Sequence, residues 1–192
     1  MPVSRRGLRG TAVLIVCAAT WVGLAAPAAV GTSASRIAVI GDSYTAGSDE
    51  GGNGSRAWPE LVRGLLALEG VDIDADIAAE GGAGYGQRGD GGSVFEDLTA
   101  RAVRRSDALI VFFGSRNDQP VDPQKFPALA ADTFQLARFA APGAKVLVIA
   151  ENWFVGREDP IGKDGVHPTD AGHAYMAAKI APLIYAQLTI RV

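Results

Sequence analysis

Four short apolar runs, Arg36–Ile40, Ile73–Ala78, Ala108–Phe113 and Lys145–Ala150, recur along this chain. Their length and β-branched content mark them as strands. Between and after them, Trp58–Leu68, Val94–Arg104, Ala128–Phe139 and Ala171–Leu188 carry apolar residues at helical spacing, with Pro59 in a first turn and Thr169 or Asp170 as an N-cap. Strands that alternate with helices close most easily as a parallel sheet covered on both faces, because the right-handed crossover returns each strand beside its neighbour. The expectation is a three-layer α/β/α domain over residues 35–192. The four runs give four strands, and the roughly ten residues (Trp153 to Gly162) between the fourth and Asp164 leave little room for a fifth, so the sheet is set at four to five strands.

Residues 1–34 read differently. Arg5, Arg6 and Arg9 precede an apolar run from Thr11 to Ala26, then Pro27 and the small residues Ala28 to Ala34, the three regions of a cleavable secretory signal peptide. Cleavage after Ala28 and after Ala34 both satisfy the small-residue rule. The sixteen-residue run falls short of the ~20 that cross a bilayer, which argues against an uncleaved anchor, and no stable membrane insertion is expected once the leader is removed. Ser4-Arg5-Arg6 also fits twin-arginine export, and the two routes stay open. The expected location is extracellular or in the cell envelope.

Export removes Cys17, the sole cysteine, which excludes a cysteine nucleophile, a thiolate metal site and a redox pair in the mature chain. The leader has no acidic residue, leaving 15 basic against 21 acidic residues over 35–192. An acidic domain with no basic stripe is a poor partner for nucleic acid.

Ligands of an open parallel sheet bind beyond the carboxyl ends of its strands, so the residues after each strand carry the functional signal. Gly41-Asp42-Ser43 follows the first strand, Gly81-Gly82-Ala83-Gly84 the second, Gly114-Ser115-Arg116-Asn117-Asp118 the third, and Asp164-Gly165-Val166-His167 closes the loop after the fourth. A serine hydroxyl becomes a nucleophile when an imidazole takes its proton and a carboxylate fixes the imidazole tautomer. Ser43, His167 and Asp164 supply that set. Candidate donors to an oxyanion are the N–H of Ser43, the N–H of Gly82 and the side-chain amide of Asn117.

These blocks, ending in Asp164-Gly165-Val166-His167-Pro168, resemble those of the SGNH (GDSL-type) serine hydrolases over nearly all of the mature chain. The resemblance implies a flavodoxin-like sheet and a hydrolase that uses no metal, and no cofactor is expected. It implies Ser43 as nucleophile, His167 as general base, Asp164 as its orienting carboxylate, and Ser43, Gly82 and Asn117 as oxyanion donors. Tyr44 stands where the family's short name has leucine.

Each of these residues also has a plainer reading. Ser43 suits a helix cap, Asp164 a turn beside Gly165, and Asn117 a backbone turn. His173, inside the last helix, is expected to pack or bond locally, with the alternative that it is the base. A zinc site from both histidines and Asp164 lacks a metalloprotease spacing. Asp42 is expected to brace its loop through backbone N–H groups. Gly84-Tyr85-Gly86-Gln87-Arg88-Gly89 matches the dinucleotide fingerprint, but Asp90-Gly91-Gly92 stand where its helix should open. The tripeptide Arg88-Gly89-Asp90 is read as a chance match to an adhesion motif. Tyr85, Trp153 and Phe154 either flank the site or cover the core. The short connection after the fourth strand implies a shallow cleft, so the sequence points to a secreted serine esterase for short acyl groups on a sugar, polymer or small alcohol, a small-molecule or glycan ester substrate. The competing readings are an acyltransferase, a non-catalytic ester- or glycan-binding module on the same scaffold, and a nucleotide-binding protein.

Overall fold

In β1 (Ser35–Gly41) successive side chains go to opposite sides of the sheet: Ile37 and Val39 into one apolar cluster, Ala38 and Ile40 into the other. Strand β3 (Leu109–Phe113) repeats this, with Leu109, Val111 and Phe113 on the first side and Ile110 and Phe112 on the second. A strand buried on both faces reads as a continuous apolar run, which is why these two are so legible in the sequence. The strands β2 (Ile73–Ala79) and β4 (Lys145–Ile149) complete a sheet ordered β2-β1-β3-β4, parallel throughout.

The computed structural model describes residues 33–114, 116–150, 154 and 159–190. The leader, apart from Ser33 and Ala34, lies outside these residues, as do Cys17, Ser115 and Trp153. The described residues belong to one compact unit, Thr32–Val192. Among them the sheet has four strands, and beyond β4 the only extended pairing is an isolated bridge between Ile161 and Pro168.

Helices cover both faces. A single turn, α1 (Ser43–Ala46), follows β1, and α2 (Trp58–Leu68) and α5 (Asp170–Thr189) pack on the first face through Trp58, Val62, Leu66, Met176, Ile180 and Ile184. On the second face α3 (Phe95–Ala102) and α4 (Phe126–Ala140) contribute Phe95, Leu98 and Ala137. This is the expected α/β/α sandwich. Helices α2 to α5 each lie within two residues of their expected bounds, and Thr169 caps α5 by accepting the Gly172 N–H. No helix among the described residues is long and apolar enough to cross a membrane.

The strand order places the reversal of winding between β1 and β3. The chain leaves β1 toward the first face and β3 toward the second, which opens a crevice beyond their carboxyl ends, the position at which open α/β sheets bind ligands. The turns that follow β1 and β3 carry Ser43 and Asn117.

Candidate active site

Asp42 opens the site. It is buried, caps α1 by accepting the Tyr44 N–H on Oδ1, and receives the Asn117 side-chain amide on Oδ2 at 3.0 Å. It therefore braces the turn after β1 and ties it to the turn after β3. The cap lets the chain leave β1 into a helical turn with Ser43 half-buried at the sheet rim. Gly41 has no room for a side chain, because a Cβ there would meet Thr45 Oγ1 at 2.2 Å.

The imidazole of His167 reaches this serine from 124 residues away, with Nε2 at 3.0 Å from Ser43 Oγ. Its Nδ1 lies 2.5 Å from Asp164 Oδ2, while Asp164 Oδ1 accepts the N–H groups of Val166 and His167 at 2.8 and 2.9 Å. The bond from the His167 ring, followed by these two backbone bonds, holds the Asp164 carboxyl down at about 2. Asp164 is therefore an ionised acceptor throughout the neutral range. An ionised carboxylate cannot donate, so the Nδ1 proton belongs to the imidazole and the Nε2 lone pair faces the serine O–H. The structure thus brings Ser43, His167 and Asp164 into one hydrogen-bonded line.

Gly82 and Asn117 line the same cleft of about 470 Å³. Gly82 has φ +75°, which a side chain would strain, and neither its N–H nor that of Ser43 has an acceptor among the described residues. Asn117 is placed differently from the simple expectation. Its Nδ2 donates to both Asp42 and Ala83 O at 3.0 Å, so both amide hydrogens are engaged. An oxyanion would meet this amide only by sharing a hydrogen with one of those acceptors.

The other histidine is separate. His173 is fully buried, accepts the Trp58 N–H on Nδ1 at 3.2 Å, and lies so close to Gly52 that a Cβ there would sit 1.9 Å from Nε2. No group of three metal-ligating side chains occurs among the described residues. Burial pushes the imidazole down to about 4, with a smaller opposing pull from Asp170. The folded chain then leaves His173 neutral between about pH 4 and 6.5, where the unfolded chain binds a proton. The contribution of His173 to stability therefore rises with pH through that window, by on the order of 3 kcal/mol over its full width. Urea midpoints are expected to drop between pH 7 and 4.5, with a shallower drop in His173→Gln.

Sequence reasoning missed the role of Asp118. Its buried carboxylate accepts the N–H groups of Tyr85, Gly86 and Gln87 at 2.8, 2.8 and 3.0 Å. These are amides of the dinucleotide-like glycine motif, and a carboxylate from the chain itself occupies the place a phosphate would take. Gly84 is required by the same contact, since a Cβ would lie 2.6 Å from both Asp118 oxygens. Glu80 braces the rest of this loop by accepting from Gly91 and Ser93, and the Ser93 amide foremost holds its carboxyl below the usual range. Within the adhesion-like tripeptide, Arg88 pairs with Asp97 at 3.5 Å. Tyr85 belongs to the core, its ring packed on Phe95, Phe112, Phe126 and Phe134, and burial raises its phenol well above the usual range. Phe154 packs on the opposite face, against Tyr44 and Tyr175. The cleft also holds Ser48, Asp49, Asp90 and Arg116, none of which the sequence singled out as site residues.

Residues 39–162 match the GDSL-like lipase/acylhydrolase family, a span that takes in the Ser43 turn, the Gly82 loop and the Asn117 turn. The chain belongs to this family. The GDSL lipase Rv0518 of Mycobacterium tuberculosis (strain ATCC 25618 / H37Rv) is 51% identical over 190 residues, covering 79% of this chain and 82% of the relative. Among solved structures, a Corynascus thermopiles (Myceliophthora fergusii) carbohydrate esterase family 2 enzyme with a carbohydrate-binding domain superposes with a TM-score of 0.65 at 18% identity, covering 81% of this chain and 67% of that one. The structure named TesA does so at 0.63 and 21%, covering 79% and 99%. At such identities the two structures establish the fold, and the family match establishes a GDSL-type (SGNH) serine hydrolase.

Proposed function

We propose that this GDSL-type hydrolase is an exported esterase that cleaves short acyl esters of a sugar, polymer or small alcohol through an acyl-serine intermediate. The contact of His167 Nε2 with Ser43 Oγ at 3.0 Å, backed by Asp164, carries this reading. Ser43 Oγ attacks the ester carbonyl as its proton passes to Nε2, and Asp164 stabilises the imidazolium that results. The N–H groups of Ser43 and Gly82, with the Asn117 amide, receive the developing oxyanion. The imidazolium then protonates the departing alkoxide, and water, deprotonated by the same imidazole, releases the acid.

The lining of the cleft supports short acyl groups. Its bulkier apolar surface comes from Tyr44 and Val166, whereas Asp49, Asp90, Arg116 and Asn117 present polar groups. A long acyl chain gains about 0.8 kcal/mol per buried CH₂ only where apolar walls receive it. A hydroxyl-rich alcohol finds partners among these side chains, and the likeness to a carbohydrate esterase supports the same substrate class. The leader with Arg5, Arg6 and Arg9 supports export.

The test is fluorophosphonate labelling of the full chain beside Ser43→Ala, followed by a p-nitrophenyl ester series and acetylated sugars. Labelling confined to the parent chain, with activity falling from acetyl to palmitoyl esters, is the expected result. No labelling of the folded parent would favour a binding module, and activity rising steadily with chain length would overturn the short-acyl assignment.

A further inference from the structure

The hydroxyl of Tyr44 takes no part in the acyl-transfer steps, yet it joins three functional loops. It donates to the Val166 carbonyl at 2.6 Å and receives a hydrogen bond from Arg116 Nη1 at 3.2 Å. A guanidinium only donates and a carbonyl only accepts, so the direction of both bonds is fixed. The Val166 carbonyl shares one planar peptide group with the His167 N–H, which donates to Asp164 at 2.9 Å. Both ends of this plane are held, one by Tyr44 and the other by Asp164. Holding that plane fixes the backbone from which the His167 side chain departs to bring Nε2 within 3.0 Å of Ser43 Oγ.

We propose that Tyr44 is a positioning residue for acyl transfer, its hydroxyl holding the Val166–His167 peptide so that the imidazole addresses the adjacent serine. This rests on the roles of Ser43, His167 and Asp164 proposed above. The Tyr44 ring is buried, with centroids 6.3 Å from those of Phe113, Phe154 and His167, so the phenol approaches Val166 from a packed base. Arg116 adds a cationic donor, which strengthens the bonds of the oxygen it polarises. A leucine in this position would fill the apolar space and hold no carbonyl.

Tyr44→Phe keeps the ring and deletes only the hydroxyl. Misplacement of a reacting group by about 1 Å can cost ~100-fold, so kcat is expected to fall about 10- to 100-fold with KM within about twofold of the parent. The rate of fluorophosphonate labelling should fall by the same factor, because that reaction also needs the imidazole to take the serine proton. Arg116→Gln, which leaves the phenol without its cationic donor, should lower kcat in the same direction by a smaller factor. Circular dichroism at the assay temperature measures the folded fraction in each case. Parental kcat and labelling rate in Tyr44→Phe overturn the proposal, and so does a loss fully accounted for by unfolded chain. Labelling that persists in Ser43→Ala is a separate result and overturns the nucleophile assignment itself.

Discussion

Ser43→Ala, His167→Ala and the double variant are expected to share nearly the same residual kcat, on the order of 10⁴- to 10⁶-fold below the parent. The imidazole assists by accepting one proton from Ser43 Oγ, 3.0 Å from Nε2. Once the hydroxyl is gone that base has nothing to activate, and once the base is gone the hydroxyl is a poor nucleophile. The two losses therefore do not add. What remains in all three variants is polarisation of the carbonyl by the Gly82 and Ser43 N–H groups and by Asn117, which none of these substitutions removes. Steady-state kinetics on p-nitrophenyl acetate gives the four values directly. Losses that multiply in the double variant would mean that the two groups act independently, and the hydrogen bond between them would then have no part in turnover.

Asp118→Ala is expected to lower the free energy of unfolding by on the order of 3–5 kcal/mol, a large share of the roughly 5–15 kcal/mol typical of a domain. The buried carboxylate accepts three backbone N–H groups from Tyr85–Gln87, and alanine leaves all three without it. Tyr85 is buried and Gly86 and Gln87 half-buried, and a donor shielded from water without an acceptor costs more than an average hydrogen bond contributes. Asp118→Asn keeps one acceptor oxygen and should fall between the two. Urea denaturation at pH 7 measures the loss, and faster amide exchange at Tyr85, Gly86 and Gln87 should accompany it. A change within about 1 kcal/mol would show that the loop holds its shape without the carboxylate. Because Gly82 precedes this clamp by only a few residues, the variant should also lose activity at temperatures where it remains folded.

The glycine motif shows why part of the site could not be read from residue order. A loop whose amides converge on an anion has the same pattern of glycines whether the anion is a bound phosphate or a carboxylate of the chain. Asp118 was visible in the block after β3, but its distance from Gly84–Gln87 in sequence hid the contact. The Tyr44 hydroxyl is similar. A tyrosine beside the serine reads as a variation on leucine until Val166 and Arg116 are seen at its oxygen. The sequence marks the Asn117 amide as a candidate donor, and only the structure shows that it also bonds Asp42 and Ala83. Tyr85 and Phe154 were equally suited to core and cleft, since an aromatic ring carries no mark of which surface covers it.

The alternation of strands and helices is already in the sequence, through continuous apolar runs in β1 and β3 and helical spacing in α2 and α5, because burial on one or both faces dictates which neighbours along the chain are apolar. The sequence also supplied the kinds of groups that acyl transfer needs, since Ser43, Asp164 and His167 stand in blocks that follow the ends of strands. Which groups meet was decided by the tertiary structure alone. The order β2-β1-β3-β4 brings the ends of β1 and β3 together, and hydrogen bonds, which act over about 3 Å, then select partners that lie scores of residues apart.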